Sequence, residues 1–428
     1  MVKGLCEKDF LRKPFTILIG SLYLESTLLN SNETTMNTFD WIVIGAGITG
    51  AALAYELVQQ GFSTLLVEQH STLQGATRFG YGGIAYWAGT TELTRQLCAE
   101  GIALHRSLSD ELAADTQFRE LDLLLTIPPD VDPQAIEQFY SQFAIPPRLL
   151  SIQAACELEP LLNPAAIAGA LTVKHGHISQ QATVQAYTDA FIRRGGRLQI
   201  GIVSHLQHQQ GRFVGINCGQ EIFHSNQVVV CAGGLSRKLL HHSGIPVRLY
   251  FTHAELVDIP PADLQLRTIV MPADSRRFQL EAQASSLEQD DLWDEPGHQP
   301  AAPILDAGAV QFLDGSIRIG QISRALTDPE AAIDAAASER DIRTQVGQLL
   351  PSLQDLPGAW RHCLVAFSCD HLPLVGAIPT IEGIYLFSGF SNPLAITPPL
   401  ARRFAAALAG SPDALVAQLT PARFTKQV

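Results

Sequence analysis

Four consecutive apolar residues, Trp41-Ile42-Val43-Ile44, run into Gly45-Ala46-Gly47-Ile48-Thr49-Gly50, the pattern of a buried strand that ends in a glycine loop. A helical stretch leads from about Ala51 to Gln60 and stops at Gly61. Residues 64–67 then read as a second apolar strand, followed by Glu68, eighteen residues past Gly50. Strand, loop, helix and strand together form a βαβ unit suited to a dinucleotide. The glycines permit the tight turn and close backbone approach, and the helix start aims free amides and its positive dipole end at a pyrophosphate. A carboxylate at the distance of Glu68 accepts the hydroxyls of a ribose.

Beyond this unit, Gly75-Ala76-Thr77-Arg78-Phe79-Gly80-Tyr81-Gly82-Gly83-Ile84 is too rich in glycine for regular structure and reads as backbone that approaches a flat ligand. Residues 90–162 read as a helical, polar section broken by Pro128, Pro129, Pro146 and Pro147. A helix is predicted from Ala182 to Arg194, ended by Gly195-Gly196. Residues 198–205, 212–218 and 221–225 alternate as a β-meander. Val228-Val229-Val230-Cys231-Ala232-Gly233-Gly234 has the pattern of a central parallel strand that stops on two glycines. Strands mixed with helix are expected from Pro246 to Gly358, with an acidic, proline-containing solvated loop over 287–303. A last helix, which Thr397 can cap and Pro398 can open, runs to Ala409 before Gly410.

A chain of 428 residues with 46% hydrophobic and 17% charged residues reads as a globular protein of two domains. Its net charge of -13 argues against a nucleic-acid partner, because phosphate backbones are held by lysine and arginine. Seven scattered cysteines without a CxxC pair imply neither a disulfide framework nor a zinc site, and a cytoplasmic location fits them. No metal site is expected: His241-His242 and His175-x-His177 lack further ligands at sensible spacing. No stretch is long and apolar enough to span a membrane. Lys3, Lys8, Arg12 and Lys13 precede an apolar stretch over 15–24 that superficially resembles a signal peptide, but Glu25 interrupts it. Residues 1–35 therefore read as a disordered extension or a mistaken start, with Met36 as the alternative initiator.

Four separated segments resemble the flavoprotein family of D-amino acid, glycine and sarcosine oxidases. They are the βαβ unit ending in Glu68, the Gly75-Ala76-Thr77-Arg78 stretch, the strand ending Cys231-Ala232-Gly233-Gly234, and Asp370-His371-Leu372-Pro373-Leu374-Val375-Gly376 with Gly389-Phe390-Ser391. The closing Leu419-Thr420-Pro421-Ala422-Arg423-Phe424 is similar to the family's ending, and the likeness runs in family order from Met36 onward. It implies FAD as cofactor, and oxidation of a C–N bond by hydride transfer to flavin N5 with hydrolysis of the resulting imine. FAD would be held by Gly45, Ala46, Gly47, Ile48, Thr49 and Gly50, by Glu68 and Gln69, and by Thr77, Arg78 and Gly82. Further contacts would come from Val203, from Ala232, Gly233 and Gly234, from Cys363, and from Gly389, Phe390, Ser391, Asn392 and Leu394. The last helix would point its positive end at the flavin's N1 and O2 region.

Departures from the family pattern bear on the substrate. Glycine oxidases place a substrate-binding arginine five residues before the aspartate of the Asp-x-x-Pro motif, where this chain has Val365. Sarcosine oxidases hold the carboxylate with an arginine of an early helix, and Gly89-Thr90-Thr91-Glu92-Leu93-Thr94-Arg95 resembles that segment. This makes Arg95 a candidate, unless it is only an exposed helical arginine. Cys363 stands where sarcosine oxidases bond covalently to flavin; the alternative is a small apolar filler. Ser316-Ile317-Arg318-Ile319-Gly320 resembles the strand whose lysine promotes reaction with oxygen in sarcosine oxidases. Arg318 keeps a charge but cannot lose its proton. It supports oxidase chemistry, binds substrate carboxylate, or is a surface residue. His371 beside Asp370 reads as a hydrogen-bonding loop histidine, and Tyr250 and His253 line the site or pack a strand over 247–257.

The expected architecture is α/β: a discontinuous Rossmann-like FAD-binding domain over 36–93, 168–243 and 361–428, with an inserted, mostly antiparallel β substrate domain over 94–167 and 244–360. The expected function is oxidation of a small amine or amino acid with oxygen or a quinone as electron acceptor. The alternatives are a dehydrogenase of a hydroxy compound such as glycerol 3-phosphate, and a flavoprotein without catalysis.

Overall fold

The computed structural model describes residues 37–424, so the expectations for residues 1–35 and for Met36 lie outside the described residues. The run Trp41–Ile44 is the middle of a six-stranded sheet and is buried throughout. The strand order is Leu374–Ala377, Ile384–Ser388, Val228–Val230, Trp41–Ile44, Thr64–Glu68, Arg197–Ile200, all parallel except the first, an antiparallel edge. Successive side chains leave a strand on opposite faces. Trp41 and Val43 accordingly pack under the helices, while Ile42 and Ile44 face a second cluster with Leu206, Phe213, Ile216 and Phe223.

The helices on the first face are Ile48–Gln59, Glu92–Leu112, Gln180–Arg193 and Pro393–Leu408. Glu92–Leu112 and Pro393–Leu408 touch backbone to backbone at Gly101, where a Cβ would lie 1.7 Å from the Ala395 carbonyl oxygen. The opposite face is covered by the meander Val203–Gln209, Arg212–Cys218 and Glu221–His224.

A nine-stranded, mostly antiparallel sheet forms the rest. Its order is Ala359–Phe367, Tyr250–Ile259, Ile317–Ala325, Ala301–Gln311, Ile269–Pro272, Arg119–Ile127, Gly169–His177 and Gly83–Ile84, with Arg148–Leu150 also paired to Gly169–His177. The pair Ile269–Pro272 and Arg119–Ile127 is parallel. Helix Ala335–Leu349 packs against Val257, Ile317, Ile319 and Ile322 on one face. The architecture is thus the expected α/β one, a Rossmann-like parallel sheet with a large antiparallel sheet beside it.

Several local expectations are corrected. The section over 90–162 is not mainly helical, because Arg119–Ile127 is an inner strand of the large sheet. Its leucine run lacks alternation since Leu123, Leu124 and Leu125 are all buried, and a short apolar run does not separate strand from helix. The glycine-rich run contains a short helix, Gly75–Phe79, and a strand, Gly83–Ile84. The first meander strand is split at Gly201, whose amide bonds the Glu68 carbonyl, so Arg197–Ile200 stays in the nucleotide sheet. Residues 287–303 are largely an exposed loop, as expected, but it is anchored: Trp293 is buried and donates to the Ala284 carbonyl, Asp290 accepts from the Tyr250 hydroxyl at 2.7 Å, and Ala301 begins a strand. The last helix opens at Pro393, five residues before Pro398, and Thr397 lies within it as a buried residue rather than a cap. Strand Gly169–His177, placed by the sequence in the nucleotide segment 168–243, pairs along its whole length with Arg119–Ile127.

Candidate functional site

At the end of Trp41–Ile44 the backbone turns where only glycine fits. Gly45 has φ +101°, and a Cβ there would lie 2.6 Å from the Cys231 carbonyl oxygen; a Cβ on Gly50 would lie 1.8 Å from the Gly45 carbonyl oxygen. Helix Ile48–Gln59 starts on Gly47 with no side-chain cap and no acidic residue in its first turn, so its first amides face outward without an anionic partner of their own. Glu68 is fixed from both sides: Oε2 accepts the Ala46 amide at 2.8 Å and Oε1 the His70 amide at 3.1 Å. The Thr77 hydroxyl accepts the Ile48 amide at 3.2 Å, which draws helix Gly75–Phe79 over the loop. Thr49 follows Ile48 in the first helical turn, and Gln69 is exposed beside Glu68. Val203 opens the meander strand, paired with Cys218.

The same sheet edge gathers two more loops. Gly233 has φ +53°, and a Cβ on Gly234 would lie 2.5 Å from the Leu364 Cβ, so Ala232-Gly233-Gly234 brings the nucleotide sheet against the large one. At Gly389, φ is +79° and a Cβ would lie 2.8 Å from Leu249. Phe390 and Leu394 are buried in the helical core. Asn392 Nδ2 donates to the Ala85 carbonyl at 3.0 Å, and His105 Nε2 to the Leu394 carbonyl at 2.7 Å. Burial pushes His105 down to about 4. The Ser391 and Thr397 hydroxyls are buried without a partner among the described residues. Helix-start amides without an anionic partner, a cradle that a Cβ would fill and unpartnered hydroxyls at the opening of Pro393–Leu408 together fit a dinucleotide bearing a polar ring system.

Arg318 lies on the large sheet and is buried. Its Nε donates to Asp258 Oδ1 at 3.1 Å, its Nη1 donates to the Gly80 carbonyl, and its guanidinium sits 4.5 Å over the Phe312 ring. The Tyr81 hydroxyl nearby is buried without a partner, and burial pushes its pKa up. His177 Nδ1 accepts from Arg119 Nε at 3.4 Å. Arginine only donates, so the neutral ring carries its proton on Nε2, which has no partner among the described residues and lies 3.0 Å from where a Gly82 Cβ would be. His175 Nδ1 likewise accepts from Trp87 Nε1 at 3.0 Å, and its Nε2 would lie 2.6 Å from a Gly83 Cβ. Burial pushes both histidines down to about 3. Gly82 has φ +73° and a Cβ there would lie 2.3 Å from the Ile178 carbonyl oxygen, while at Gly83 the His175 ring occupies the place of a Cβ.

Cys363 pairs across the sheet with Ala254 and is buried. Burial pushes its thiol up to about 12, with Arg318 and Arg277 pulling weakly the other way. Val365 pairs with Thr252 and leaves no cation at that register. Arg277, from helix Arg276–Ala284, binds the fully buried Glu281 at 2.9 Å, and His371 Nδ1 lies 3.3 Å from the other Glu281 oxygen. Burial raises the Glu281 carboxyl, but Arg277 and His371 outweigh it and the net direction is down. Arg95 is elsewhere: exposed on helix Glu92–Leu112, it donates to the carbonyls of Gln142 at 2.8 Å and Gly89 at 3.5 Å. Arg78 Nη1 donates to Gln181 at 2.8 Å. Tyr250 is taken up by Asp290, and buried His253 faces His362 at 2.7 Å, apart from the Arg318 group.

Sequence reasoning missed Tyr81, His177, Arg277 and Glu281. His175-x-His177 carried a signal, since residues two apart on a strand share a face, but the spacing was weighed only as a metal site.

The family model for FAD dependent oxidoreductase matches residues 40–407. Among curated relatives, the 4-methylaminobutanoate oxidase (formaldehyde-forming) of Paenarthrobacter nicotinovorans is 26% identical over 238 residues, covering 52% of this chain; the chain spans only 27% of that relative. An anaerobic glycerol-3-phosphate dehydrogenase component from Escherichia coli K12 is 31% identical over 145 residues, 32% of this chain and 26% of the relative. Glycine oxidase from Geobacillus kaustophilus has the same fold, with a TM-score of 0.73 at 19% identity over 90% of this chain and 99% of that one. The chain therefore belongs to the family of FAD dependent oxidoreductases, with FAD as its cofactor.

Proposed function

We propose that this oxidoreductase oxidises the C–N bond of a small amine or amino acid, with Arg318, Tyr81 and His177 receiving the acidic end of the substrate. The carrying observation is the donor array itself: a buried guanidinium tied to the Gly80 carbonyl beside two buried donors that lack acceptors. When bound, FAD supplies the acceptor for the two electrons. The chain's own residues then have to bind, orient and keep out water, which is what a C–N oxidation asks of a flavoprotein.

The array is built of donors that do not change charge near neutral pH: His177 is held neutral down to about 3, and Tyr81 is pushed up. It orients an anion and takes no proton. The Asp258 partner holds Arg318 in one direction, leaving its remaining N–H groups for a carboxylate. Arg95 is a weaker anchor because two carbonyls already accept from it. The amine reading is further supported by the substrates named for the 4-methylaminobutanoate oxidase and the glycine oxidase. The same pairing with Asp258 lowers the positive charge available to promote oxygen reduction, which favours a dehydrogenase using a quinone-type acceptor.

A second reading, oxidation of a hydroxy compound such as glycerol 3-phosphate, is favoured by the 31% identity to the glycerol-3-phosphate dehydrogenase component. Anaerobic titration of the flavin-loaded protein separates the two. Glycine, N-methylglycine, 4-methylaminobutanoate and D-amino acids are compared with glycerol 3-phosphate for bleaching of the flavin band. Bleaching by an amine and not by glycerol 3-phosphate supports the first reading; the reverse overturns it.

A further inference from the structure

A cleft of about 770 Å³ opens beside Arg318, with Arg78, Arg361, Gln181, Ser316 and Phe312 in its lining. Its size suits a metabolite. Its charge is unlike that of the chain. The protein carries -13, whereas three arginines (78, 318 and 361) and two aspartates (258 and 314) line this cleft, a balance of 3 - 2 = +1.

The distribution is more telling than the sum. Arg318 is paired with Asp258, but Arg78 donates only to the neutral Gln181, and Arg361 makes no side-chain hydrogen bond or ion pair with the described residues. Asp314 is turned to its own turn, where Oδ1 accepts from the Ser316 amide at 2.9 Å and hydroxyl at 2.6 Å. The fourteen-residue helix Gln180–Arg193 also begins at this cleft, with Ser179 and Gln180 in the lining, and adds the positive end of its dipole. Two guanidiniums without carboxylate partners and a helix start form a set that recognises carboxylate or phosphate by paired N–H donors.

We propose that this cleft is a binding site for a small organic anion bearing a carboxylate or phosphate, with Arg361 and Arg78 as its cationic walls. The cleft shares Arg318 and Phe312 with the array proposed to receive the substrate's acidic end, so the proposal rests on that reading and extends it to Arg361 and Arg78; anion binding without turnover is read separately from flavin reduction.

Calorimetric titration of the oxidised, flavin-loaded protein with citrate, with inorganic phosphate and with glycerol as the neutral control tests it. Saturable binding of citrate or phosphate, absent with glycerol, is expected; the stronger of the two identifies the acidic group. Arg361 is exposed on its strand, so Arg361→Ala should fold and keep its FAD while weakening that binding about tenfold, the size of one charge-assisted contact. Arg361→Lys should recover most of it. No saturable heat with either anion overturns the proposal, as does equal affinity in Arg361→Ala and the unaltered protein.

Discussion

The glycine loop and the Arg318 array are built by opposite means. In the loop, nearly every polar contact is made by backbone over a short stretch: the amides of Ala46 and His70 fix Glu68, and glycines 45 and 50 exist because a neighbouring carbonyl occupies the place of a Cβ. In the array, the donors are side chains far apart in sequence, Arg119, His177 and Arg318, with Phe312 under the guanidinium, and two donors are left without acceptors among the described residues. A site built from backbone tolerates few residue types and binds one invariant group. One built from side chains can be retuned for each substrate.

Breaking the loop should have the largest effect. Gly50→Ala puts a Cβ 1.8 Å from the Gly45 carbonyl oxygen, which forces the turn apart and costs about 3 kcal/mol or more. Purified Gly50→Ala is expected without its yellow colour, as measured by the ratio of flavin to protein absorbance. Full FAD content in this variant contradicts the role of the loop.

The array answers to acid. His175 and His177 are lowered from 6.5 to about 3 by burial, so between these values the unfolded chain binds protons that the folded one refuses. Stability is therefore complete above about pH 6.5 and is lost as pH falls, by about 2 kcal/mol per ring at pH 5. Thermal melts at pH 7.5 and 5 should show this drop, and His175→Gln together with His177→Gln should reduce it, the remainder coming from buried His105 and His253, which burial also pushes down to about 4. An unchanged slope means that the rings are not held neutral.

Two smaller effects sharpen the contrast. Arg95→Ala removes bonds to the Gln142 and Gly89 carbonyls on the surface, and should change the rate of flavin reduction less than about threefold, within the ±0.5 kcal/mol of ordinary surface substitutions. Cys363→Ser should change least. The buried thiol is held protonated, so acid precipitation should release all the flavin into the supernatant from the variant and the unaltered protein alike. Colour in the pellet of the unaltered protein alone would mark a covalent link at Cys363.

How far each region was legible follows from the same contrast. The cofactor loop could be read because βαβ geometry fixes the spacing from Gly45 to Glu68, and the edge glycines 233, 234 and 389 announce close approach. The array could not be assembled, since nothing local says that Arg119 and His177 lie side by side or that a leucine run is a central strand. Arg318 was singled out by its resemblance to a strand, yet its pairing with Asp258 depends on a bulge between Glu255 and Leu256 that sets the register. The Pro393 start of the last helix was hidden because Pro398 and Pro399 sit within the helix, where proline usually marks an end.

The separation of the two regions is tested most directly by Arg318→Ala, with FAD content and the rate of anaerobic flavin reduction by an amine measured on the same sample. The account predicts a yellow protein with about one FAD per chain and reduction slowed by about a hundredfold, the loss of a charge-assisted anchor of roughly 3 kcal/mol. Partial recovery is expected in Arg318→Lys. Undiminished reduction, or loss of FAD itself, would contradict it.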